Sequence, residues 1–236
     1  MKIRTMKRQP TVSARVTVSK VSRRAAMILY GHAMSSASFR VRIALALKGL
    51  KVTSVLMDLR AGEQRHEEFL RVNSQGLVPA LILDDGAVLT QSAAIIEYLD
   101  EVHPRPPLLP SSPLARARVR ALTQAITCDV HPLNNLRVLQ YLENDLRHDK
   151  AERDAWYRHW VQLGFDALER SLVRDEATGR FCHGNAPTLA DVCLVPQVFN
   201  ARRFAVDLAP YPRIVGIDAA CRDLAEFQGA APDRQV

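Results

Sequence analysis

The sequence predicts an α/β domain followed by an all-α domain. Three observations carry that reading. Strand and helix signals alternate over residues 27–104 in the order β-α-β-α-β-β-α. The stretch "HPRPPLLPSSP", residues 103–113, holds five prolines and reads as a linker. Beyond it strand signals largely stop and helical periodicity takes over. The expected organisation is a basic, disordered tail over 1–26, an α/β domain over 27–104, a linker over 105–113 and an all-helical domain over 114–236. With 236 residues and 47% hydrophobic content, the chain can fill two such cores.

Each element has its own signal. "MILYG", residues 27–31, is a short apolar strand. In the helix after it, Phe39, Ile43, Ala46, Leu47 and Leu50 share one face with Lys48 opposite, and Gly49 marks the end. "VTSVLMDL" is a second strand and "EQRHEEFLRVN" a short polar helix. "LVPALIL" and "AVLTQ" are strands joined by the turn Asp84-Asp85-Gly86. "SAAIIEYLDEV" is a helix with Ile95, Ile96 and Leu99 facing inward. Residues 114–148, 151–173, 188–204 and 213–228 read as helices, and Thr188 with Asp191 forms a capping arrangement ahead of an apolar run.

Charge narrows the partners. The first 26 residues carry eight basic side chains and no acid, so the +7 of the whole chain becomes −1 for residues 27–236. The basic balance belongs to the tail and argues against nucleic-acid binding by the body. The tail itself admits three readings: a disordered extension, a targeting peptide, or an overlong gene start with Met27 as the true beginning. No apolar run suggests a membrane partner. Cys128, Cys182, Cys193 and Cys221 form no C-x-x-C pair and are expected as buried free thiols in a reducing, cytoplasmic setting. His32, His66, His103, His148, His159 and His183 show no metal-ligand spacing, so no metal is expected.

Three short motifs carry chemistry. Ser35 and Ser36 stand where a helix begins, and one hydroxyl suffices as its cap. The other could donate to an anion, which the helix dipole also favours; a thiolate is a natural candidate, and with no cysteine nearby it would come from a ligand. A serine hydrolase lacks support because no G-x-S-x-G elbow is present. Val78-Pro79 opens a strand, which reads as an edge position or a cis bond that turns the backbone of Val78 toward a ligand. Ser92 caps the next helix, which leaves Gln91 unexplained.

Together these segments resemble the zeta class of cytosolic glutathione S-transferases. "SSASFRVRIALALKG" is similar to its Ser-Ser-Cys-x-x-Arg-Val-Arg-Ile-Ala-Leu signature. "NSQGLVPAL", "TQSAAIIEYLDE", "HPLNNLRVLQYL", "TLADVCLVPQVFNARRF" and "VDLAPYP" match the same class in order. The resemblance implies a thioredoxin-like N-terminal domain, a helical C-terminal domain, glutathione as cofactor and a homodimer. It implies that Ser35 or Ser36 activates the glutathione thiol. Gln64, Val78, Gln91, Ser92, His131, Asn135 and Arg137 would bind the tripeptide. Arg203 would hold a substrate carboxylate, with Arg40 a further candidate. His131 and Asn135, four apart, would share a helix face. Arg40 and Arg42 read equally as salt-bridged rim residues.

The class contains isomerases of maleylacetoacetate and of maleylpyruvate, small anionic diketo acids. The implied reaction is thiolate addition to the cis double bond, rotation and elimination. Maleylacetoacetate is the first expectation and maleylpyruvate the rival. A general glutathione transferase on electrophilic or halogenated acids and a non-catalytic binding protein are the other readings. Two departures stand out: Ala37 replaces the signature cysteine, and Ala33-Met34 stands where many members carry an aromatic residue and an arginine.

Overall fold

The strand β1, Ile28–Gly31, is an inner strand of a four-stranded sheet in the computed structural model, which describes residues 27–235. The expectations for the tail, residues 1–26, lie outside the described residues. Next to β1 lies β2, Thr53–Leu56, in parallel; on its other side β3, Ala80–Ile82, runs antiparallel and pairs in turn with β4, Val88–Thr90. The order β2-β1-β3-β4 gives a mixed sheet. Leu29 and Leu81 face each other across the β1–β3 pair and both are buried. The turn into β4 needs Gly86 at φ +89°, a conformation that costs glycine nothing.

The helices are α1 Ser36–Leu47, α2 Glu67–Leu70, α3 Ser92–Val102, α4 Pro113–Gln124, α5 Leu136–Asn144, α6 Lys150–Arg174, α7 Leu189–Arg203, α8 Pro212–Arg222 and α9 Ala225–Ala230. The N-terminal part is thus a thioredoxin-like α/β unit and the rest is helical, as the sequence predicts. Among the described residues no helix is long and apolar enough to cross a membrane.

Several elements differ from expectation. α1 was expected to expose a polar face. It packs at once against α3, α7 and α9, and Ser36 through Leu45 are all buried. Lys48, expected on the solvent side, has its amine buried on Asp100 at 2.6 Å and on the carbonyl of Pro106. Burial on that scale is tolerated because the ammonium has a carboxylate and a carbonyl as partners. The polar helix expected over 63–73 divides at His66, whose backbone is extended. The long stretch 114–148 is interrupted too: α4 passes into a wide π turn over Ala125–Val130, then a 3-10 turn over Pro132–Asn134. Pro132 has no N–H to continue the helix, and the Asn135 side chain accepts from the Arg137 N–H to start α5 afresh. The stretch 213–228 likewise divides into α8 and α9.

The proline-rich segment is pinned. Leu108 and Leu109 are buried, the Leu108 N–H donates to Asp100, and the Leu108 carbonyl accepts from Leu189. Pro113 belongs to α4 as its first residue, where a missing N–H costs nothing. At the start of α7, Asp191 accepts from the Thr188 N–H, the Thr188 hydroxyl and the Cys182 N–H, all at 2.7–2.8 Å. Of the four free cysteines, Cys182, Cys193 and Cys221 are buried; Cys128 is exposed on the π turn, contrary to expectation. The buried residues of this stretch, Val119, Leu122, Ile126 and Val130, recur at helical spacing, and position 128 falls on the opposite side, facing solvent.

Candidate active site

A cavity of about 440 Å³ lies between the sheet end of the α/β unit and the helical part. Its floor is the N-terminus of α1, with Ser35, Ser36 and Ala37 in the wall. Ser35 is the cap: its hydroxyl oxygen accepts from the Ser38 N–H at 3.2 Å. Ser36 is buried, and its hydroxyl oxygen accepts from the Asn200 amide of α7. The same Asn200 offers its carbonyl oxygen to Arg203 at 2.8 Å.

The sequence-expected residues Ser35, Ser36, Gln64, Val78, His131, Asn135, Arg137 and Arg203 all lie in this wall. Val78 precedes Pro79 through a cis peptide bond. Gln64 is buried, and its side-chain carbonyl oxygen has no hydrogen-bond partner among the described residues. His131 and Asn135 reach the cavity by a different route from the expected helix face: they bracket the 3-10 turn and Asn135 has extended backbone.

Three expected residues are not in the wall. Gln91 is exposed and donates to the Gln75 side chain at 2.9 Å; Gln75 itself lines the cavity. Ser92 is the first residue of α3 and not its cap, a place taken by Gln91 at φ +67°. Its hydroxyl oxygen instead accepts from Arg40 at 3.3 Å. Arg40 is off the cavity and 1% exposed, so the expected contact with a substrate carboxylate is corrected. The reason is that α1 is enclosed, so its side chain points into the interior toward α3. Arg42 is no rim residue either: it is buried on the carbonyls of Ala230, Ala33 and His32, and burial lowers its pKa to about 10.

The electrostatics of the wall are one-sided. Arg60, Arg65, Arg137 and Arg203 line it, and none of the lining residues is an aspartate or glutamate. His131 is pushed down to about 3, first by loss of solvation and then by the charge of Arg40, so its imidazole is neutral at physiological pH. Burial pushes the Tyr157 phenol up to about 12 against the pull of Arg203, and its ring stacks on Phe204 at 3.6 Å. A wall with this charge is suited to an anionic ligand.

Sequence reasoning missed Arg60, Arg65, Tyr157 and Asn200 in this wall. Asn200 alone had a usable signal, since it stands three residues before Arg203 on one helix and so shares its face.

Comparisons with known proteins give the family and the fold. The family model "Glutathione S-transferase, N-terminal domain" matches residues 25–101. The chain is 48% identical over 211 residues to the probable maleylacetoacetate isomerase of Vibrio cholerae, covering 89% of this chain and 97% of that one. A bacterial maleylpyruvate isomerase, described as a zeta-class glutathione S-transferase, superposes with a TM-score of 0.85 at 49% identity, over 88% of this chain and 98% of that one. The maleylacetoacetate isomerase of Methylobacterium extorquens AM1, solved with malonate and glutathione bound, gives a TM-score of 0.87 at 42% identity, over 89% of this chain and 98% of that one.

Proposed function

The chain belongs to the zeta class of the glutathione S-transferase family, and on that premise we propose that it is a glutathione-dependent cis–trans isomerase of maleylacetoacetate. The observation that carries the reading is a cavity wall with four arginines and no carboxylate, built over the N-terminus of α1. Such a wall suits a doubly anionic diketo acid beside an anionic tripeptide.

The residues present suit glutathione as the cofactor. Gln64 carries a buried carbonyl oxygen without a partner among the described residues, free to accept an N–H. Val78 borders the cavity ahead of a cis proline. His131 and Asn135 supply uncharged polar groups, and Arg137 a cation. Gln91 and Ser92, at the N-terminus of α3, would take the γ-glutamyl carboxylate, and Gln91 adjoins the wall through Gln75. When bound, glutathione supplies a thiolate that adds reversibly to the cis double bond and lets it turn.

The chain's own residues do the rest. The α1 N–H groups and a serine hydroxyl stabilise negative charge on the α1 side of the cavity, where each pKa unit of lowering corresponds to about 1.4 kcal/mol. Arg203 and Arg137 present guanidinium forks to the substrate carboxylates. Met34, 36% exposed in the wall, offers no charge where many members of the class have arginine, so orientation of the acid rests on the remaining arginines. A reducing compartment such as the cytoplasm and a homodimeric state complete the proposal.

The test follows the cis chromophore of maleylacetoacetate and, separately, of maleylpyruvate, with and without glutathione. Glutathione-dependent loss with maleylacetoacetate is expected. Turnover of maleylpyruvate alone would move the assignment to that substrate, and turnover of neither would overturn it.

A further inference from the structure

We infer that α5 is a lid over the cavity, latched across the mouth by the Arg65–Gln140 hydrogen bond, with Gln140 a positioning residue for Arg137. The inference rests on the glutathione reading above and deepens it. The walls of the cavity differ in how firmly they are held. Twelve of the fifteen residues of α7 are buried, and ten of the twelve of α1. Of the nine residues of α5 only Leu142 is buried. Its apolar side chains Leu136 and Tyr141 are 37% and 56% exposed. A helix that buries so little belongs to the least stable part of a fold. Yet α5 brings Leu136, Arg137, Leu139 and Gln140 to the cavity wall.

The backbone leaves helical geometry on both sides of α5. At its start Asn135 is extended. The 3-10 turn just before it is pinned to α6, where the Trp156 indole donates to the Leu133 carbonyl at 2.8 Å. Beyond its end Arg147 sits at φ +62°, a left-handed conformation uncommon outside glycine. Hinges are residues at element ends that absorb a change of φ and ψ, and these two positions are so placed. Two side-chain contacts then hold the helix down. Glu143 pairs with Arg153 of α6 on the solvent side, where an ion pair is worth little. The other contact crosses the mouth. Arg65, on the 3-10 turn Glu63–Arg65 of the α/β unit, donates from its guanidinium to the Gln140 side-chain oxygen at 3.0 Å. Gln140 and Arg137 stand three apart on α5 and so share a face. The bond that holds Gln140 therefore also sets where the Arg137 guanidinium stands over a ligand. A ligand seated beneath α5 leaves when that bond opens.

The experiment has three readouts: glutathione dissociation by stopped-flow displacement, steady-state kinetics with maleylacetoacetate, and amide hydrogen exchange along the free protein. The variants are Gln140→Ala, Arg65→Gln and the exchanged pair Arg65→Gln/Gln140→Arg. A hydrogen bond from a charged donor at a half-exposed site is worth about fivefold, so glutathione dissociation and α5 exchange should both rise by about that factor in each single variant. Gln140→Ala keeps every arginine of the wall, so it also isolates the effect on the substrate. Its KM should rise about fivefold with kcat within about twofold of wild type. Exchange in α6 and α7 should stay at wild-type rates, because the latch governs a local opening. The exchanged pair restores donor and acceptor in the reverse sense, and should return all readouts to within about twofold of wild type. A side chain that merely supports the fold would not be rescued in this way. Wild-type dissociation rates in both single variants, wild-type α5 exchange as slow as that of α7, or losses that the exchanged pair does not recover would overturn the inference while the glutathione reading stands. Absence of glutathione binding in the wild type would overturn that reading, and the exchange measurement on the free protein would still decide the lid.

Discussion

Arg203 and Arg40 are both candidates for a substrate carboxylate on the sequence, yet the fold gives them opposite surroundings. Arg203 borders the cavity, whereas Arg40, on α1, is buried with its guanidinium on Ser92. Arg203→Met is expected to lower kcat/KM for the diketo acid about a hundredfold, the usual scale for removing one member of a charge pair, with glutathione affinity unchanged. Steady-state kinetics and calorimetry check the two halves; an unchanged kcat/KM would remove Arg203 from the substrate site. His131 gives a pH signature. The unfolded chain takes a proton on it near pH 6.5 and the folded chain only near pH 3, so between those values acid favours unfolding. Urea midpoints should fall as pH drops through that window, and should fall less in His131→Gln. Equal losses in both would place the acid sensitivity elsewhere. Ser35 and Val78 could be placed from their own short motifs because a helix start and an X-Pro step fix them locally, whereas Arg203 was reached only through the resemblance. Arg40 could not, because its surroundings come from elements distant in the chain.

Two elements depend on contacts that a single side chain makes. α7 starts from Asp191, whose carboxylate takes three buried donors. Asp191→Ala would leave those donors unpaired and is expected to cost about 3–5 kcal/mol, read from chemical denaturation. An unchanged midpoint would contradict the role. α6 approaches the π turn at Gly164, where an added Cβ would meet a methyl of buried Val130 at 2.2 Å. Gly164→Ala must displace Val130, the residue before His131, and is expected to cost about 1–3 kcal/mol. It should also weaken glutathione binding through that displacement, so a destabilised variant with wild-type affinity would separate packing from the site. The capping of α7 was legible from the Thr188 and Asp191 spacing. The breaks within 114–148 were not, since helical periodicity continues across Pro132 while the backbone does not. The burial of Lys48 was hidden for a related reason: periodicity reports one apolar face, and α1 has neighbours on several.

At the scale of the whole molecule, the fold class followed from the loss of strand signals after the proline-rich segment, and the structure has the same order of α/β then all-α. What the sequence could not supply was the meeting of the two parts. Ser36 and Asn200, and Gln64 and His131, come from opposite sides of that join, and only their shared cavity makes them one site. The charge of the wall was likewise illegible, because an overall −1 for residues 27–236 conceals four arginines gathered without an acid. The central claim is that glutathione acts catalytically in an isomerisation and is not consumed in a transfer. The most direct measurement supplies maleylacetoacetate in large excess over glutathione and counts trans product and free thiol at completion. Many product molecules per glutathione, with all of the thiol recovered, are expected. Product limited to one per glutathione, recovery of the thiol as a conjugate, or equal turnover without glutathione would contradict the account.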